Sequence, residues 1–528
     1  MASSPHTSDL EVSLQSSGHC YVDMLPAELL TRVFKFVYWA YCAALVDRRH
    51  PYMLQELVVC KRWKAIIQGT PYFWQLIVPS PGNDRLRTQA LEFSATQPLT
   101  FIASCNGAGL QDLTIMLRGM LEMDVLQRTR RIDVEHLLQG VELQVGDNLM
   151  PTVYPLIAQF LTGSEELEEL QGLRIATSLD FKNVAGRQMR NLHSLHLEAV
   201  RRPPDVGRWA RSLRTLIFVN IRDIDSSSFM RALERMDTLE ELEITMTSLH
   251  LSRDRIRQPG SLLLPKLERL TLYTELIDMD TLLVVFTLPK LSLLALHAYA
   301  TRAEPLPDLQ GIYGAITAVI EDHPCDEVDL AYTAEFKRSV PLSNSSRSQS
   351  VPVIRFAVGA GLTYQVVRDM TLSVMARPGL MRSIRSITLN IPQGYRTSED
   401  SWREALRGLE FVQCVELGAS ARDACCIFNV LRAVQPDTVV LPFLKRVIYR
   451  PFTFDKSAAN AIVSLLKRRS VQSDRVQCVL NPFIFMRDVF YMLTTQPEVY
   501  GILSDDTLLF PVRYCSMDKD PSLQESLV

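Results

Sequence analysis

The pattern LxxLxL recurs through the middle of this chain as Leu170, Leu173, Ile175; Leu192, Leu195, Leu197; Leu213, Leu216, Phe218; Leu239, Leu242, Ile244; Leu267, Leu270, Leu272; and Leu291, Leu294, Leu296. Successive copies stand 22, 21, 26, 28 and 24 residues apart. A period of that length holds one short strand and one helix, and such a pair cannot cover its own apolar face. Stacking neighbours buries a continuous leucine ladder, so the pattern constrains the chain to an α/β array in which each unit needs the next. The segments between the strands read as helices. Examples are Phe229, Leu233 and Met236 after a run of capping serines, and Leu282, Leu283, Val285 and Phe286 before Pro289.

Weaker copies extend the pattern in both directions. Upstream, residues 86–93 read as helix, and 99–103 and 132–134 as strands. Downstream, strands are expected at 328–330, 353–356, 384–389, 412–417, 447–449 and 476–480, with helices at 364–376, 402–409, 424–434 and 457–468. The asparagine that tight-turn repeat classes carry after the strand is expected to be missing here, so the set reads as irregular. The run from Thr301 to Leu309 replaces an expected turn. Residues 339–352, SVPLSNSSRSQSVP, lack periodic apolar positions and are expected to form a surface loop.

The N-terminal segment carries a different signal. Leu29, Leu30, Val33, Phe34, Val37 and Tyr41 fall three to four apart and make one wide helical stripe. Asp23 is placed to cap this helix, Pro26 suits its first turn and Glu28 favours its positive end. A second helix is expected from Tyr52 to Ile67, carrying Leu54, Leu57, Val58, Lys61 and Trp63, with Gly69 as its stop and Pro71 opening a turn toward Phe73 and Trp74. Two helices in so short a stretch make little core, so they complete themselves against a partner or against the rest of the chain.

LPAELL at 25–30, VCKRW at 59–63 and PYFW at 71–74 resemble, in order and spacing, an F-box. Together with the body of the chain they resemble the fungal F-box family with leucine-rich-repeat bodies. The resemblance implies that Leu25, Pro26, Glu28, Leu29, Leu30, Val33 and Phe34, then Val59, Cys60 and Trp63, contact a Skp-type adaptor that links to a cullin-RING ubiquitin ligase. The connection from Trp39 to Met53 is longer than the family's usual one. The expected fold class is α/β, with an N-terminal helical F-box followed by an irregular leucine-rich-repeat solenoid, a horseshoe of strand-helix units. The expected boundaries are a tail over 1–22, the F-box-like domain over 23–78, the repeat domain over 79–514 and a second tail over 515–528.

Composition narrows the partner classes. Fifty-six basic residues against 59 acidic ones give a net charge of −3, which supplies no overall attraction to nucleic acid or anionic lipid. The longest uncharged apolar stretch of the first helix, Phe36 to Val46, is far short of the ~20 residues that cross a bilayer. The N-terminus has neither the basic start nor the apolar run of a secretory signal, and no two of the ten cysteines are spaced as CxxC. A cytoplasmic or nuclear protein with reduced thiols is expected, with no membrane, nucleic-acid, metal or cofactor partner.

No phosphate-loop, nucleophile-elbow or zinc-protease motif is present. His193 and His196 lack an evident third ligand. Cys425 and Cys426 sit side by side on a predicted helix and read as core. The acidic run from Glu165 to Glu169 reads as a solvated face, and the basic runs 128–131 and 467–469 lack interleaved aromatics. The resemblance implies a non-catalytic substrate-recognition adaptor of an SCF-type ubiquitin ligase that binds a protein substrate through its repeats; the repeat pattern by itself implies only an interaction surface. The alternative is an interaction scaffold whose first helices cap the repeats.

Overall fold

The computed structural model describes residues 24–44, 59–77, 84–104, 114, 117–119, 121, 123–135, 153–163, 166–176, 188–222, 224–247, 249, 260–299, 309–331, 333–341, 348–358, 364–377, 381–392, 397–432, 440–451, 456–470 and 476–480. The expected terminal tails, the Asp23 cap, the start of the second helix through Val58 and the break from Thr301 lie outside the described residues. The chain divides into two compact units, Met1–Phe160 with Leu167–Gly172, and Leu161–Glu166 with Leu173–Val528.

The first unit opens with α1 (Ala27–Ala44) and α2 (Lys61–Gln68), followed by a 3₁₀ turn at Pro71–Trp74. Then come β1 (Leu76–Ile77), α3 (Asp84–Phe93), β2 (Leu99–Ser104), α4 (Met123–Gln127) and β3 (Thr129–Glu135). The three strands pair in parallel, β1 on β2 and β2 on β3. Phe101, Ile132 and Val134 are buried, while the Trp74 and Phe93 rings meet with centroids 4.9 Å apart. The turn that follows α2 is thereby fastened to α3. A further helix, α5 (Val153–Thr162), carries the chain onward.

The second unit contains a large, mainly parallel sheet. Its strands are β4 (Gly172–Ala176), β5 (Ser194–Glu198), β6 (Thr215–Val219), β7 (Glu241–Thr245), β9 (Arg269–Glu275), β11 (Leu293–Tyr299), β12 (Glu327–Leu330), β13 (Thr333–Pro341), β14 (Ser348–Val358), β15 (Ser386–Asn390), β16 (Cys414–Ala419), β17 (Arg446–Pro451) and β18 (Gln477–Leu480). They lie in the order β4-β5-β6-β7-β9-β11-β14-β13-β12-β15-β16-β17-β18. Two short strands, β8 (Leu262–Leu263) and β10 (Phe286–Thr287), pair separately. The connecting helices are α6 (Ser226–Leu233), α7 (Leu276–Val285), α8 (Gln310–Asp322), α9 (Tyr364–Met375), α10 (Glu399–Arg407), α11 (Ala421–Arg432) and α12 (Lys456–Ser470). From α7 to α12 each helix packs on the next.

Each leucine of the repeat has a distinct physical task. The second and third positions fall in register across the sheet, as Leu195, Leu216, Leu242, Leu270 and Leu294, then Leu197, Phe218, Ile244, Leu272 and Leu296. All ten are buried, each contributing about 1.5–3 kcal/mol relative to exposure. The first leucine makes the turn that leads into the strand. The N–H groups of Leu192, Leu239, Leu267 and Leu291 donate to the carbonyls of Met189, Met236, Leu264 and Leu288, at 3.2–3.3 Å.

Backbone bonds then tie one repeat to the next. The carbonyls of His193, Arg214, Glu240 and Glu268 each accept two N–H groups from the following copy. At the other end, Ala199, Asn220 and Met246 follow β5, β6 and β7 with φ of 58°, 52° and 49°. Their N–H groups donate to Val219, Thr245 and Tyr273 of the next strand. Asparagine, which tolerates this left-handed geometry best of the three, does hold the position after β6; alanine and methionine stand at the other two. The irregularity is therefore in side chains, while the backbone turn repeats.

The residues expected to form a loop at 339–352 are largely strand. Ser339–Pro341 end β13 and Ser348–Pro352 begin β14, and 342–347 lie outside the described residues. β13 runs antiparallel to both β12 and β14 and separates two strands expected to be neighbours. Its alternation of Ala334 and Phe336 inward with Glu335 and Lys337 outward has strand period but no leucine motif, so a search for LxxLxL passes over it. The register shifts after Phe336, where Lys337 faces Pro352, a residue with no N–H to give a ladder.

Candidate partner surface on the first helices

The apolar stripe of α1 is wider than its partners can cover, and the structure divides it lengthwise. Leu30 and Phe34 turn inward and are 1% and 2% exposed. Phe34 meets Trp63 of α2 at 4.8 Å between ring centroids and Phe73 at 6.4 Å, both edge-on. Tyr38 continues that line against Tyr72 and Phe73. Roughly 100° around the helix, Leu29, Val33 and Phe36 face outward and are 44%, 51% and 76% exposed. Their i, i+4, i+7 spacing makes one continuous ridge.

The surroundings hold that ridge in place. The Pro26 carbonyl accepts from the N–H groups of Leu29 and Leu30 at 3.1 Å, starting the helix, and Thr31 Oγ1 donates to the Ala27 carbonyl at 2.8 Å. Arg62 Nη2 donates to the Leu25 carbonyl, fastening α2 to the residues ahead of α1. Trp74 Nε1 donates to the Ile67 carbonyl at 2.8 Å. Met24, Pro26 and Val59 are also exposed, as are the charged residues Glu28, Arg32, Lys35 and Lys61. Lys35 Nζ lies 5.1 Å from the centre of the Tyr72 ring.

The expected contact residues therefore separate by what they can touch. Pro26, Glu28, Leu29, Val33 and Val59 are exposed, and Leu25, Cys60 and Trp63 are half-buried. Leu30 and Phe34 are spent inside the unit and offer a partner almost no surface. Val59 and Cys60 do not lie in the second helix as expected; α2 begins at Lys61, with Cys60 as its extended N-cap and Cys60 Sγ accepting from the Trp63 N–H at 3.4 Å. Gly69 ends it as expected. Met24 and Phe36 were missed by motif matching, although Phe36 lies seven residues after Leu29 and follows from helical period alone.

Other sequence candidates have structural occupations. Arg128 donates to Ser94 Oγ and the Gln97 carbonyl, Arg130 to Gln171, and Arg131 lies 3.9 Å from Asp133. Arg469 is 4% exposed and donates to the carbonyls of Leu431, Val440 and Leu441. His196 faces Glu198 at 3.7 Å, and Glu166 pairs with Arg190 at 2.6 Å. Cys425 and Cys426 are half-buried beside the fully buried Ala424, Ile427 and Phe428. Among the described residues no group of three histidine, cysteine or acidic side chains is placed to hold a metal, and no helix is long and apolar enough to cross a membrane. No protein-family model matches the chain, and no curated protein matches it.

Proposed function

We propose that this chain is a substrate-recognition adaptor of an SCF-type ubiquitin ligase, in which an F-box-like α1 and α2 dock on a Skp-type adaptor and a leucine-rich-repeat solenoid presents the substrate surface. The observation that carries the reading is the outward ridge of Leu29, Val33 and Phe36, together with the exposure of Met24, Pro26 and Val59. Burying such a ridge in a partner groove is a standard use of an amphipathic helix. The order of LPAELL, VCKRW and PYFW supplies the choice of partner by resemblance. Such a chain does no bond chemistry; it raises the local concentration of a substrate lysine near a charged ubiquitin carrier.

A scaffold without ubiquitin chemistry is the second reading, and the contact of Trp74 with Phe93 favours it, because it makes the helix pair a structural part of its own unit. Exposed positions discriminate the two. Co-expression with a Skp-type adaptor is expected to give a one-to-one complex on size exclusion, lost in Leu29→Asp/Val33→Asp with the circular dichroism spectrum unchanged. A wild-type chain that elutes alone sinks the adaptor reading. Phe34 is unsuited to this test, since its substitution unpacks α1 whatever the function.

A further inference from the structure

The hairpin of β13 and β14 is longer than the sheet it enters. β12 pairs with β13 only as far as Lys337, and β11 pairs with β14 only from Ile354 onward. Residues 338–341 and 348–352 therefore run on as a two-stranded arm, paired with each other. Val340 and Val351 lie on one face of the arm and are 42% and 40% exposed, while Ser339 and Ser350 lie on the other, both exposed. Ser350 Oγ donates to Glu327 Oε2 at 2.8 Å, which steadies the arm across β13.

The two edges of the arm differ. In an antiparallel pair a residue turns both its N–H and its C=O either toward the partner strand or away from it, and the direction alternates along the strand. The Ser339 N–H donates to both oxygens of the Asp326 carboxylate, at 3.0 and 3.2 Å, so Ser339 turns away from β14, and Pro341 does the same two residues on. That edge is closed, by a carboxylate at Ser339 and by the missing N–H of Pro341. Ser350 and Ser348 are the register partners of Ser339 and Pro341. They therefore turn their own N–H and C=O groups out of the opposite edge, and among the described residues no strand other than β13 pairs with β14 there.

We infer that this open edge of β14 takes an extended segment of a protein partner as an added strand. Two N–H and two C=O groups recur along it about 7 Å apart, a spacing that another extended backbone matches group for group. Side chains of the segment that fall on the Val351 side meet apolar surface, and the alternate ones meet Ser350. The edge thus favours alternating β-branched and polar residues, while main-chain bonds accept a range of sequences. On the adaptor reading the segment belongs to the substrate. That identification rests on the reading; the open edge does not.

The test uses the full chain and a fluorescein-labelled peptide, Lys-Thr-Val-Thr-Val-Thr-Lys, beside a counterpart N-methylated at its five central residues, followed by fluorescence anisotropy. The unmethylated peptide is expected to bind about tenfold more tightly, since its counterpart keeps the side chains and loses the N–H groups. Ser350→Pro should abolish the difference, because proline removes an outward N–H and leaves the bonds to β13 in place, and Ser348→Pro blocks the neighbouring outward position independently. Ser350→Ala, which loses only the hydroxyl, should keep it. Equal binding of the two peptides, or binding of neither, overturns the inference. A difference that survives both proline variants does so too, because the peptide then sits elsewhere. A wild-type chain that sediments as a dimer, and as a monomer after Ser350→Pro, gives the edge to a second copy and also overturns it. Adaptor binding, measured on the same preparation, separates the failures. A chain that binds the adaptor but ignores the peptide loses only this inference, and one that takes the peptide but binds no adaptor loses only the ligase reading.

Discussion

Neighbouring residues on one helical turn of α1 have opposite fates, and the difference is one of cover. Val33 is half exposed while Phe34 is enclosed by Trp63 and Phe73. The sequence marks both as apolar and cannot say which half of a wide stripe its own chain will cover. At Cys325 the residue scale reaches pH dependence. Burial, then the nearby Asp326 carboxylate, pushes its thiol from an ordinary 9.0 up to about 12. The folded state therefore holds the proton where an unfolded chain has released it. Stability from this site is complete below pH 9 and declines as pH rises toward 12. Chemical denaturation between pH 8 and pH 10.5 should show wild type losing stability more steeply than Cys325→Ala; parallel slopes would remove Cys325 as the cause.

At the scale of elements, helix α8 approaches α7 through a glycine. A Cβ at Gly311 would lie 2.2 Å from the Asp280 carbonyl oxygen and 2.9 Å from the Val284 N. The same contact is reinforced by Asp280 Oδ1, which accepts from the Ile312 N–H at 3.1 Å. Gly311→Ala should force the helices apart and cost about 1–3 kcal/mol, read from the urea midpoint. An unchanged midpoint would show that the pair can shift without penalty. Sequence showed the leucine-marked strands well, because alternation on a strand is a local property that neighbours only reinforce. It showed α8 and β13 poorly. β13 has an alternating pattern of ordinary strand type, and its place between β14 and β12 follows from an antiparallel return, which no single segment encodes.

For the whole molecule, the division into two compact units predicts two transitions on denaturation in place of one. Phe34→Ala should lower the midpoint of one transition by an amount worth about 3–5 kcal/mol and leave the other in place. Leu242→Ala, in the middle of the leucine ladder, should shift the second by about 2–5 kcal/mol. Both substitutions moving a single shared transition would show that the units unfold as one. The sequence by itself determined where the repeated strands lie and which of their side chains face the core, because burial on a strand alternates every second residue. It also marked the helical segment whose letters suggest a partner. Only the tertiary structure decided which half of α1 is left uncovered, that a hairpin enters the parallel sheet, and which edge of that hairpin is closed. Those outcomes depend on strand register and on what packs against what, contacts between residues far apart in the chain that no local period can specify.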